Sequence, residues 1–348
     1  MKASLCHRAI GIFALAFALP CAPALAQPTS AEPAPTASTD GIATPPVARA
    51  PLPAEVVELR NKDTRVLTIG YRLVTGNARY CETKTYAAGL LLHDVGAYGD
   101  SDGLRKTLGL QGDVGVQALV PGGAAQQAGL RVDDTVIAIG DLSIADIPNE
   151  NAKPWERIET IRAETERLLS ETGTLPLTVL REGAPLVVTI EGVPACPSRF
   201  EVGLGKRAVA DGHRVVIGPE FVGIDYPEAL LAGIVAHEFA HNMLRHRAWF
   251  DAYGKRTGKG VRLTEREADR LSPWLLANAG LDPRGGVEFF KKWGPRHGMW
   301  IFRDRSHDAW DERAENMAAE LPQIELLMES EGGADWSRHF RREKLPSR

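Results

Sequence analysis

His237-Glu238-Phe239-Ala240-His241 sets two imidazoles four residues apart, so that on a helix both point the same way. Such a pair can grip one zinc ion, with Glu238 beside the metal as a general base. The flanking residues read as that helix. Asp225-Tyr226-Pro227-Glu228 reads as an N-cap, a first-turn proline and a capping-box glutamate. Leu230, Leu231, Ile234, Val235, Phe239, Met243 and Leu244 then give an almost all-round apolar surface, which places the helix in a domain centre. Two histidines and a glutamate there are costly unless something pairs with them. The plainer alternative is a pair of core histidines hydrogen-bonded to backbone.

A catalytic zinc needs a third protein ligand and one open position. A glycine three residues after the second histidine and a histidine three further on would mark a metzincin, but Leu244 and Arg247 stand there. His246, five residues past His241, points off the metal-facing side and reads as a solvated helix-end residue favoured by the helix dipole. Thr264-Glu265-Arg266-Glu267-Ala268-Asp269 opens a second helix that runs through Leu271, Trp274, Leu275 and Leu276 to Gly280. Thr264 and Glu267 form a capping box in this reading. Glu265 and Asp269, four apart, share a face; Glu265 would ligate zinc while Asp269 accepts the second ring N–H of a ligating histidine. An ordinary charged face, with Arg266 and Arg270 as partners, explains the same spacing.

With Glu265-Arg266-Glu267-Ala268-Asp269-Arg270 and Asn278-Ala279-Gly280-Leu281-Asp282-Pro283, the pattern His237 to Asn242 resembles the HtpX- and BepA-like zinc metallopeptidases, gluzincins related to the CAAX prenyl proteases. The resemblance runs from about Phe200 to Arg313. It implies a mainly helical zincin-type domain with a small edge-strand sheet, a Zn2+ cofactor, Glu265 as third ligand and Asp269 as its supporting carboxylate. The family carries a histidine-proline motif and then an arginine in a further helix; here these correspond to Ser306-His307-Asp308 and Arg313, with Asp308 in place of the proline. The resemblance puts His307 near the open metal position, as oxyanion stabiliser or gate. Lys206 to Gly218 reads as a hairpin about Asp211-Gly212. In related peptidases the strand corresponding to Arg214-Val215-Val216-Ile217 borders the cleft and pairs with an extended substrate.

Lys2 and Arg8, the apolar run Ala9 to Leu19 and Ala24-Leu25-Ala26 read as a signal peptide over residues 1–26, which places the mature chain in the periplasm or outside the cell. No other stretch is long and apolar enough to span a bilayer. Residues 27–53, rich in Pro, Ala, Ser and Thr, read as a disordered tether. Lys and Arg total 41 against 45 Asp and Glu, so no nucleic-acid partner is implied.

Between Cys81 and Cys196, the strands Leu90-Leu91-Leu92, Val114 to Val120, Asp133 to Gly140, Leu175 to Arg181 and Leu186 to Ile190 resemble, in their order, a PDZ domain of the bacterial protease type. The departures are a helical insert from Trp155 to Ser170 and an unusual stretch from His93 to Gly103. The resemblance implies that backbone N–H groups around Ala88, Gly89 and Leu90 receive a peptide C-terminal carboxylate while the peptide adds as a strand. Cys81 and Cys196 are the cysteines that outlast signal cleavage, and in an oxidising compartment one disulfide is the economical inference. Ala54 to Asn77 looks like helix and resembles the helix that starts the peptidase domain. The expected fold class is therefore α+β: a metallopeptidase domain from 54–80 and 197–348, with a mainly-β PDZ domain inserted at 81–196. The expected function is an exported zinc endopeptidase that reads peptide or protein C-termini, in envelope quality control. A client-binding chaperone with little proteolysis and a non-peptide zinc hydrolase are the alternatives.

Overall fold

The computed structural model describes residues 51–148, 153, 155–297 and 308–346. The signal-peptide reading of 1–26, nearly all of the tether and His307 lie outside them. Ala54–Gly76 forms α1, whose sides meet different partners. Val66, Ile69, Leu73 and Val74 join a core built otherwise from Cys81 and residues beyond Ala195, while Leu67 packs on Ala118 and Val120.

From α1 the chain runs through β1 (Thr85–Ala87), β2 (Leu90–Asp94), α2 (Ser101–Leu108), β3 (Val114–Leu119), α3 (Ala124–Gln127), β4 (Thr135–Ile139), β5 (Leu142–Ser143), α4 (Glu156–Thr172), β6 (Thr174–Arg181), β7 (Ala184–Glu191) and β8 (Val193–Ala195). One sheet has the order β2-β3-β4-β6-β7, antiparallel throughout, with β5 beside β4. In β7, Val188 and Ile190 point in while Val187 and Thr189 point out, the two-residue period of a half-buried strand. The apolar residues of this region form a second core, from Ala88 to Ile190, separate from the first. The His93–Gly103 stretch leads into α2, whose entry is capped by the Asp100 carboxylate accepting from Gly103 N.

At the base of this sheet β1 and β8 pair antiparallel, Thr85 opposite Ala195. A disulfide joins Cys81 to Cys196, with Cα atoms 5.7 Å apart and a sequence separation of 115. A loop of that length makes the crosslink stabilising through the unfolded chain, so a Cys81→Ser/Cys196→Ser double variant should lose about 2–5 kcal/mol in a urea titration. An unchanged midpoint would mean that the β1–β8 pairing suffices.

Beyond this neck come β9 (Arg199–Val202), β10 (Ala208–Ala210) and β11 (Arg214–Ile217), then α5 (Glu228–Met243), α6 (His246–Tyr253), α7 (Gly258–Asn278), α8 (Gly285–His297), α9 (Trp310–Ala318), α10 (Leu321–Glu331) and α11 (Trp336–His339). The architecture is mixed α and β, with strands gathered in sheets rather than alternating with helices. No helix among the described residues is long and apolar enough to cross a membrane.

Three local expectations are corrected. Asp225 does not cap α5: Pro227 occupies that position without a side-chain bond, and the lead-in is held instead by Arg65 of α1, donating to the carbonyls of Ile224 and Tyr226. The next helix does not open at Thr264. It begins at Gly258, where Thr257 Oγ1 accepts from Gly260 N, and Thr264 sits inside it bonded to Val261 O. Lastly, β11 is internal, antiparallel to β10 on one side and parallel to β9 on the other. The edges of this small sheet are β10 and β9 among the described residues, and β9 packs against α1.

One buried carboxylate joins α1 to the two larger sheets. Asp63 accepts from Gln117 Nε2 of β3 at 3.0 Å and from Val202 N of β9 at 3.2 Å. Burial pushes its pKa up to about 6. A carboxyl raised in the folded state binds its proton more tightly there than in the unfolded chain, so stability falls as pH rises from the ordinary value near 3.8 through about 6. Asp63→Asn should therefore remove a pH-dependent loss of ~1–3 kcal/mol. The check is urea unfolding at pH 5 and pH 7.5; parallel pH trends in both proteins would contradict it.

Candidate metal centre

The quoted pentapeptide lies two-thirds of the way along α5, a helix so enclosed that its backbone touches its neighbour. A Cβ added to Gly233 would meet Gly286 N of α8 at 2.3 Å. Leu231, Ala232, Val235, Ala236, Phe239 and Ala240 are fully buried around it. The histidines therefore sit on a fixed rod. Asn242, next after His241, fastens the rod to the hairpin: its Oδ1 accepts from Gly212 N at 2.8 Å and its Nδ2 donates to Ser198 Oγ at 3.0 Å.

His237 Nε2 and His241 Nε2 are 3.2 Å apart. Glu265, from α7, brings one carboxylate oxygen within 3.5 Å of the first and the other within 3.6 Å of the second. A tetrahedral ion with bonds of about 2.0–2.2 Å holds its donors roughly 3.3–3.6 Å apart. The two imidazole nitrogens are close to the separation of two corners of such a tetrahedron, the two Glu265 oxygens face them one each, and His237, His241 and Glu265 could together hold a metal ion. Glu238, the residue between the ligands' turns, is largely buried beside them, and burial pushes its pKa up to about 7.

The carboxylate of Asp269 stands behind His237, its Oδ1 2.9 Å from Nδ1, close but not aligned as a full hydrogen bond. Arg313 of α9 clamps the same carboxylate in two-pronged fashion at 2.7 and 2.8 Å, and its guanidinium lies 3.6 Å from Glu265. Burial works against the Asp269 anion, but Arg313 and His237 hold it below the ordinary carboxylate range. Burial likewise pushes His237 down, yet Asp269 and Glu265 outweigh it and carry its pKa up to about 10. Burial holds His241 well below the usual imidazole value. Two carboxylates facing two imidazoles form a pocket that draws positive charge, whether a proton on His237 or a metal ion. Arg266 and Arg270 do not pair with Glu265 or Asp269 as a plain charged face would have it; they bind Asp308, and Glu320 with Glu343.

Two neighbours were misread from the sequence. His246 is no solvated helix end but 2% exposed, with Nδ1 2.9 Å from His241 Nδ1 and Nε2 3.0 Å from Glu267 Oε2. The reason is a break in the helix: Arg245 adopts the left-handed conformation, φ 58° and ψ 37°, and turns the chain so that His246 starts α6 facing back toward the ligands. Glu267, in turn, is not a cap. It is fully buried and takes bonds from His246, Arg342 and Glu343 N, which together overcome burial and bring its pKa down to about 2.

Ala88, Gly89 and Leu90 line a cavity of about 1230 Å³ that also takes in Leu91 and Leu92, residues of α4 including Arg162, Glu166 and Leu169, and the end of α5 from Asn242 to Arg245. Gly89 has φ 70°, a conformation glycine adopts freely. β2 is an edge strand of its sheet. Comparison of the chain with protein-family models, with curated proteins and with solved structures finds no match.

Proposed function

We propose that this chain is an exported zinc-dependent endopeptidase, related to the HtpX- and BepA-like metallopeptidases, that takes substrates by their C-termini through a PDZ-like module. The observation that carries this reading is the pair of imidazole nitrogens 3.2 Å apart, each faced by one Glu265 oxygen at 3.5 and 3.6 Å, with a protonatable glutamate beside them. Two imidazoles and one carboxylate, with a position left for water, are the donor set of a catalytic zinc rather than a closed structural one. Zinc, when bound, supplies Lewis acidity that activates water and polarises a carbonyl.

The chain's own residues do the rest. Glu238 takes the proton of the attacking water and hands it to the leaving amine, and its raised affinity for a proton suits both halves of that task. Asp269, held by Arg313, orients His237. The free edge of β10, beside α5, offers backbone groups to an extended peptide without selecting side chains. The groove along β2 and α4 supports capture of a chain end, with Gly89 at its carboxylate loop. A disulfide at the neck supports an oxidising compartment.

The test is to incubate the zinc-loaded chain with unfolded casein and with peptides carrying free or amidated C-termini, and to map the cuts by mass spectrometry. Internal cleavage that is faster for free C-termini is expected. Binding of the same substrates without any cleavage would favour a client-holding role.

A further inference from the structure

The two histidines of the site are supported differently. His237 leans directly on a carboxylate, Asp269, which Arg313 clamps. Among the described residues the outer nitrogen of His241 meets His246 rather than a carboxylate, and a carboxylate follows behind His246. That carboxylate, Glu267, is completely buried. Its Oε1 accepts from Arg342 Nε at 2.6 Å and from Glu343 N at 2.8 Å, and its Oε2 accepts from Arg342 Nη2 at 3.1 Å. The same Arg342 nitrogen donates to Leu244 O, at the end of α5, at 3.2 Å.

Hydrogen bookkeeping fixes the direction of this chain of contacts. A neutral imidazole carries one N–H and one lone pair. If His241 turns the lone pair of Nε2 to a metal, its proton is on Nδ1 and must be donated to His246 Nδ1. His246 then carries its proton on Nε2 and donates it to Glu267, which remains an anion because Arg342 and the Glu343 amide fill its other acceptor positions. Reversing any one bond leaves two donors or two acceptors face to face in a buried site.

We propose that the C-terminal segment at Arg342 is a positioning element of the metal centre, acting through Glu267 and His246 to fix the ring and tautomer of His241. This rests on His237, His241 and Glu265 being metal ligands. It makes the last stretch of the chain, remote in sequence from the ligands, part of what sets metal affinity, and it gives each histidine a carboxylate held by an arginine from a later segment.

The test uses the full mature chain and four substitutions: Arg342→Ala, Arg342→Lys, His246→Ala and, as a control on the neighbouring exposed side chain, Arg341→Ala. Zinc affinity is read by chelator competition, and the ligand field by the visible absorption of the cobalt(II)-substituted protein. Arg342→Ala and His246→Ala should weaken zinc binding by roughly 10–100-fold, the range for partners behind metal-bound histidines, and should shift the cobalt bands. Arg342→Lys, which keeps a charge and one donor, should recover part of the affinity, and Arg341→Ala should match the parent chain. If His246→Ala does not fold, the half-exposed Arg342 still carries the test. Folded variants with parental zinc affinity and unshifted cobalt bands overturn the relay alone. Failure of the parent chain to take up either metal overturns the ligand assignment and the relay with it.

Discussion

Glu238→Gln should leave metal uptake and fold intact and lower peptide-bond hydrolysis by roughly 10²–10⁴-fold, the usual contribution of a positioned acid–base group. Gln has the shape of Glu and keeps one acceptor oxygen, so α5 and its packing against α7 and α8 are undisturbed. What it cannot do is accept a proton and return it. Glu238 is not among the three donors that could hold the ion, which separates this variant from any change at the ligands. The check is a cleavage assay beside a zinc determination on the same sample. Full activity with the glutamine would assign the base elsewhere, and loss of metal would make Glu238 a ligand.

Glu265→Ala should do the converse and reduce zinc affinity by roughly a thousandfold or more, since apparent binding free energies of about 10–16 kcal/mol at zinc sites are shared among a few bonds. The loss is compounded because the alanine also removes the carboxylate to which Arg313 lies close. Metal that binds only the folded chain stabilises it by mass action, about 4 kcal/mol when the metal is a thousandfold above its Kd. A chelator should accordingly lower the melting temperature of the parent chain and leave that of Glu265→Ala nearly unchanged. Equal responses of both to chelator would contradict the assignment of Glu265.

How much of this could be read from residues alone differs from one contact to the next. The spacing of His237 and His241 and that of Glu265 and Asp269 are helical periods, and two rigid helices brought side by side leave little freedom in where those groups meet. The Cys81–Cys196 link was legible because reading 1–26 as a signal peptide left those two cysteines to pair. His246 was not, because its position turns on a single backbone rotation at Arg245, and nothing in Asn242-Met243-Leu244-Arg245 marks a break; a glycine there would have. The start of α7 was hidden by Gly258 and Gly260, poor helix formers that the Thr257 cap and burial of Gly260 against Trp249 override. Glu267 then fell by chance into the pattern of a capping box. The hairpin of β10 and β11 was legible at Asp211-Gly212, but the parallel pairing of β9 that makes β11 internal, and the bond from Arg342 to a carboxylate 75 residues earlier, are encoded by no local pattern.

The account stands or falls on one ion held by two histidines and a glutamate. Zinc K-edge X-ray absorption on the stoichiometrically loaded chain measures that directly. The expected result is one four-coordinate zinc with nitrogen and oxygen neighbours at about 2.0–2.2 Å, two of them showing the outer-shell scattering of imidazole. Sulfur neighbours, a single imidazole, or a spectrum unchanged by His241→Ala would contradict it.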